Sequence, residues 1–212
     1  MAMTKERSSR IIRSLRRRYP DVSTDLRHAN CYQLAVAVVL SAQTTDRQVN
    51  GVTGTLFAEY PDFADLAKAP EGRVREIIRS TGFYRAKARH IIGLAGAVVL
   101  KHGGRLPESR EELMRLPGIG RKSANVILSM GFGVPALAVD THVTRLANRL
   151  GYVSSKDPLA VERALTSFIP ERDWMPAHLL LIRHGRAVCR ARAPLCGSCP
   201  VHRLCESPDR TL

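Results

Sequence analysis

The chain has 212 residues, enough for one large or two small domains around a buried core. Lys and Arg number 33 against 19 Asp and Glu, a formal charge of +14, which favours a polyanionic partner because each phosphate contacted releases counterions. No apolar run reaches the roughly 18 residues of a spanning helix, and the basic segment Lys5 to Arg18 lacks the apolar core and cleavage site of a secretory signal, so neither a membrane protein nor a secreted one is expected.

In chain order, Lys5 to Arg18 sets Ile11, Ile12 and Leu15 on one helical face beneath a basic one. Cys31 to Leu40 is apolar nearly all round, which suits a buried core helix. Further helices are expected over Arg47 to Tyr60, Arg73 to Arg79 and Tyr84 to His102, punctuated by Pro61, Pro70 and Gly82. Ser109 followed by Glu112 has a capping-box pattern and opens a short helix that stops at Leu116-Pro117. The next helix runs from about Arg121 to Met130 and ends at Gly131 and Gly133. Val143, Leu146, Ala147 and Leu150 recur at helical spacing before Gly151, and Asp157-Pro158 is a cap followed by a first-turn proline. Strand signals are scarce, so the expected fold is all-α, with a boundary at Gly131 to Pro135.

The most informative stretch is Leu116-Pro117-Gly118-Ile119-Gly120-Arg121-Lys122, followed eighteen residues later by Asp140. A turn built on Pro117, Gly118 and Gly120 leaves little side chain in the way, so backbone N–H groups can meet a phosphate oxygen. The helix beginning near Arg121 adds the positive end of its dipole. A plain connector with a solvated lysine would use the same residues.

Of five cysteines, Cys31 stands alone in an apolar run and is read as a small buried hydrophobe. Cys189, Cys196, Cys199 and Cys205 are separated by six, two and five residues and have the look of metal ligands in a reducing compartment. Zinc and a four-iron four-sulfur cluster both accept four thiolates; spacing does not choose between them, and zinc is the commoner structural ion. The loop they close carries Arg190, Arg192, His202 and Arg203, a basic set suited to DNA.

Four segments together give the chain a likeness over nearly its whole length: Leu40-Ser41-Ala42-Gln43-Thr44-Thr45-Asp46, the hairpin from Leu116 to Val126, Val139-Asp140-Thr141-His142, and the cysteine spacing. The chain resembles the bacterial endonuclease III family of the helix-hairpin-helix DNA glycosylase superfamily. The resemblance implies two helical lobes with a cleft between them: a six-helix bundle over residues 25–133, and a second lobe from residues 1–24 and 134–212 holding a four-iron four-sulfur cluster on Cys189, Cys196, Cys199 and Cys205. That overrides the zinc reading. It implies a monomeric, cytoplasmic enzyme that meets damaged double-stranded DNA on the nucleoid, removes oxidised pyrimidines and cuts the strand at the abasic site.

On that resemblance, Lys122 is the nucleophile and Asp140 its carboxylate partner, while Gln43, Phe83, Leu116, Gly118, Gly120, Arg121 and His142 contact DNA. Gln43 fills the space of the everted base; many relatives have leucine where this chain has Phe83, which leaves the wedge geometry and the preference for the opposite base open. An ordinary lysine titrates at about 10.4, so the site has to hold Lys122 well below that; burial, Arg121 and the helix end are the expected causes. Asp140 is equally well placed as a helix cap, and Asp46 and His142 as a cap and a core histidine. Adenine-mismatch relatives usually lack the lysine and carry an added C-terminal domain, so Lys122 and the seven residues after Cys205 point away from them. A non-catalytic DNA-binding sensor of damage or redox state would need the basic surface and the cysteines without the pairing of Lys122 and Asp140.

Overall fold

The computed structural model describes residues 3–208, and among them every regular element is helical. The helices are α1 (Lys5–Arg18), α2 (Cys31–Leu40), α3 (Asp46–Glu59), α4 (Phe63–Ala67), α5 (Glu71–Ile77), α6 (Tyr84–His102), α7 (Arg110–Met114), α8 (Arg121–Gly131), α9 (Thr141–Arg149), α10 (Pro158–Phe168) and α11 (Trp174–Ala187). Short 3₁₀ turns occur at Arg79–Thr81, Glu171–Asp173, Cys196–Ser198 and His202–Leu204. By contact the chain separates into two compact units, Thr24–Val134 and Met1–Ser23 with Pro135–Leu212.

The unit Thr24–Val134 is organised around α2. Asn30 caps it, its side chain accepting from Gln33 N at 2.9 Å. Every residue from Leu34 to Leu40 is at most 3 % exposed, as the all-round apolar sequence requires. Each buried Leu or Val contributes about 2 kcal/mol, and α2 spends that surface against α3, α6 and α8. Cys31 is half-buried, and its thiol donates to Gly131 O at 3.3 Å, which ties the start of α2 to the end of α8. Thr45 and Gln48 form a capping box on α3, and Gly103 ends α6 in the left-handed conformation at φ 58°.

In the second unit, Ile11, Ile12 and Leu15 of α1 are at most 5 % exposed and join a core with residues of α9, α10 and α11. The arginines of the opposite face, Arg10, Arg13, Arg16, Arg17 and Arg18, remain exposed. Buried Arg7 straps this helix to the C-terminal segment: its Nη2 donates to Leu150 O at 3.1 Å and Leu204 O at 2.6 Å, and its Nη1 pairs with Glu206 at 2.8 Å. Ser8 and Tyr152 share a buried hydrogen bond of 2.9 Å.

Two helices have no counterpart in the sequence reading. α4 is five residues long, too short for a periodic signal, and is set by Asp62 capping Asp65 N. α11 contains Pro176 in its first turn and Gly185 near its end. Gly185 is there because α9 passes close, a Cβ at that position lying 3.1 Å from His142 Cβ.

Replacing Arg7 removes its bonds to the Leu150 and Leu204 carbonyls and its ion pair with Glu206 in the second unit. We expect Arg7→Ala to lower the stability of that unit by about 2–4 kcal/mol, read as an earlier midpoint in urea. A midpoint unchanged from wild type would show that the strap is ornamental.

Candidate functional site

The hairpin lies in the unit Thr24–Val134. Leu116 and Ile119 are buried, at 4 % and 5 % exposure, and anchor the turn, while Gly118 and Gly120 between them are exposed. Gly118 has φ 79°, and a Cβ there would lie 3.0 Å from both His90 Cβ and Val39 Cγ1, so the turn passes against α2 and α6 at a distance only glycine allows. Gly120 precedes α8 and provides no side chain to cap it. The N-terminus of an eleven-residue helix therefore offers its amides and its dipole to an anion beside two exposed glycines. Leu116, expected among the DNA contacts, is buried, and its carbonyl accepts from Ile119 N at 3.2 Å within the turn.

Arg121 is half-buried on the first turn of α8, and Lys122 next to it is exposed. This corrects the expectation that burial lowers the lysine: the buried face of α8 runs through Ala124 and Val126 to Leu128, and Lys122 projects from another side. The first turn of α8 that carries Lys122 starts with no side-chain cap, and Arg121 is its neighbour in sequence.

Gln43 and Phe83 occupy the loops before α3 and α6 in the same unit. Both are exposed, Phe83 at 67 %, and both have left-handed backbones, with φ 51° and 45°. Among the described residues the one other non-glycine with positive φ is Ala193. Left-handed geometry costs a residue with a Cβ about 1 kcal/mol or more and persists only where its surroundings impose it. The neighbours that impose it here were not legible as special in the sequence: Thr44 donates to Thr81 O, and Lys87 Nζ donates to Thr44 Oγ1 and, at 2.8 Å, to Thr81 O. Burial holds Lys87 below the ordinary lysine range.

Asp140 and His142 belong to the other unit, at the start of α9. Asp140 Oδ1 accepts from Val143 N at 2.8 Å, so the carboxylate is the cap of α9. One oxygen is thereby committed and the orientation of the other is fixed. His142 is half-buried, faces Arg145 Nη2 at 3.1 Å, and is lowered from 6.5 chiefly by burial, with Asp140 opposing; it is a neutral imidazole at pH 7 and brings no cation to a phosphate.

Cys189, Cys196, Cys199 and Cys205 line one cavity in this second unit, against Leu146 and Val201. Arg149 Nη1 donates to Cys189 Sγ at 3.5 Å and Ser207 N to Cys205 Sγ at 3.5 Å, and His184 Nε2 shares a hydrogen bond of 3.4 Å with Cys199 Sγ. Among the described residues no three of these side chains gather as a ligand set for a single ion. Arg190, Arg192 and Arg203 are exposed around the loop.

With this arrangement established, known proteins resolve its class. Residues 36–171 match the HhH-GPD superfamily base excision DNA repair protein family. Endonuclease III of Synechocystis sp. is 46 % identical over 98 % of this chain and 95 % of its own, and that of Escherichia coli 38 % over 98 % and 99 %. A trapped endonuclease III–DNA covalent intermediate superposes with a TM-score of 0.91 at 44 % identity, covering 96 % of both chains, and so does a non-covalent endonuclease III–DNA complex. The chain belongs to the endonuclease III family of HhH-GPD base excision DNA repair proteins.

The steric limits at Gly118 make a sharp prediction. Gly118→Ala combines a positive φ with two contacts of 3.0 Å and is expected to cost about 1–3 kcal/mol of stability in the unit Thr24–Val134. Gly72→Ala, where a Cβ meets nothing within 4 Å, is the matched control. Equal melting of the two variants would refute the close-approach account.

Proposed function

We propose that this protein is a bifunctional DNA glycosylase and abasic-site lyase of base excision repair, acting on oxidised pyrimidines in duplex DNA. The observation that carries the proposal is the side-chain-free N-terminus of α8, with an exposed lysine on its first turn, in a chain 44 % identical to a protein caught as a covalent intermediate with DNA. The exposed glycines of the hairpin bring backbone amides to the phosphate, and the charge of +14 supplies the general attraction to a polyanion. Gln43 and Phe83 enter the stack where the damaged nucleotide leaves it, Phe83 as an aromatic wedge.

In the proposed reaction the Lys122 Nζ lone pair attacks C1′ as the glycosidic bond breaks, and the base departs with that bond's electrons and takes up a proton. Asp140 accepts the proton lost by the attacking amine or offsets the positive charge that builds on the sugar. Ring opening gives a Schiff base. Loss of a C2′ proton then breaks the C3′–O bond, the 3′ phosphate leaves, and water releases Lys122.

We infer that Cys189, Cys196, Cys199 and Cys205 hold a four-iron four-sulfur cluster: they share one cavity, and backbone and arginine N–H groups reach their sulfurs. When bound, such a cluster supplies a fixed crosslink that shapes the loop bearing Arg190, Arg192 and Arg203. The protein acts as a monomer in the cytoplasm, on the nucleoid through its DNA.

Borohydride reduction of a reaction with abasic duplex is expected to trap a covalent complex in wild type and none in Lys122→Ala, with DNA binding retained; trapping at the wild-type level in the variant would remove Lys122 from its role. Asp140→Asn separates cap from chemistry, because asparagine caps as well as aspartate. It should fold within about 0.5 kcal/mol of wild type and turn over about a hundredfold or more slower; undiminished turnover would leave Asp140 a cap alone. The purified protein should be brown, and Cys196→Ser should lose the visible absorption, whereas a colourless wild type containing zinc would contradict the cluster.

A further inference from the structure

Lys87 is 4 % exposed and sits on the first turn of α6. An ammonium there faces two penalties, removal from water and the positive end of the helix dipole. A methionine of similar length would fill the space and meet neither. What the lysine alone supplies is a pair of N–H bonds, to Thr44 Oγ1 and to Thr81 O. Thr44 follows Gln43 directly, and Thr81 lies two residues before Phe83, so one buried amine spans both strained loops. The Thr44 hydroxyl closes a triangle by donating to Thr81 O, and Gln48 Nε2 adds a second tie at 3.4 Å to Ser80 O. Thr81, at 2 % exposure, anchors its own loop by donating from Oγ1 to Ile78 O at 2.8 Å.

We propose that Lys87 is a positioning residue that locks the Gln43 loop and the Phe83 loop into one rigid pair of prongs for opening the base stack. This assignment rests on the proposed entry of Gln43 and Phe83 into the duplex. The physical reason is the cost of insertion. Unstacking a step takes a few kcal/mol, and a prong free to relax from its left-handed backbone would yield before the bases did. Held in advance by the triangle, the two loops spend no ordering entropy when they meet DNA. The lock acts through geometry and touches no reacting atom, so it matters only where there is a stack to open.

The test uses a duplex with 2-aminopurine opposite a stable abasic analogue, whose fluorescence rises when the stack is opened, beside cleavage of a single-stranded abasic oligonucleotide. For Lys87→Met and Thr44→Val we expect the fluorescence rise to fall about threefold or more and affinity for the abasic duplex about tenfold, while single-strand cleavage stays within about twofold of wild type. Lys87→Arg, which keeps donors, should recover part of the rise. A wild-type rise and affinity in Lys87→Met would overturn the assignment, as would a parallel loss on duplex and single strand, which marks general misfolding. Gln43→Ala and Phe83→Ala separate the two layers. If they abolish the rise and Lys87→Met does not, the lock fails alone; if they too leave it unchanged, the insertion of those residues fails first.

Discussion

An amine that attacks carbon has to be uncharged, and Lys122, the nucleophile we propose, is exposed and has to meet that constraint without burial. It stands exposed on the first turn of α8, where the helix begins at Gly120 with no capping side chain and with Arg121 alongside. In the function we propose, the N-terminus of α8 receives a phosphate on its amides. The packing beneath it is what keeps the terminus open. Gly118 touches Val39 of α2 and His90 of α6, and Leu116 and Ile119 are sunk into the same unit, so the turn is fixed from below and bare on top.

The two units contribute different chemistry. Thr24–Val134 provides the hairpin, the lysine and two exposed loops with strained backbones; the other unit provides the α9 cap and the thiol cavity. In the second of these, the side chains of the cap and of the cavity are held by structural bonds. Asp140 is oriented by Val143 N, and the cysteine sulfurs by Arg149, His184 and Ser207. The cap of α9 and the catalytic role we propose for Asp140 are compatible, because the bond to Val143 N also fixes the carboxylate.

Local chemistry was legible in the sequence and tertiary chemistry was not. The bounds of α1, α2 and α6 follow from apolar pattern and punctuating residues, and the caps at Ser109, Asp140 and Asp157 from side chains acting within three residues. The exposure of Lys122 was missed because it depends on which face of α8 the neighbouring helices cover. Lys87 was missed for a similar reason: in the run Arg85, Lys87, Arg89 it has the pattern of a solvated basic face, and its burial comes from loops more than forty residues away at Thr44 and nearby at Thr81. α11 was obscured by Pro176 and Gly185, whose reasons are a first-turn position and the close passage of α9.

The proposed function depends most on Lys122 being the amine that forms the Schiff base. The direct measurement is the pH dependence of single-turnover Schiff-base formation on abasic duplex, followed by borohydride quench from pH 6 upward. The expected result is a rate that levels off before the pH at which an unperturbed lysine loses its proton. A rate still climbing about tenfold per pH unit through pH 9.5, as an unperturbed lysine requires, would contradict it.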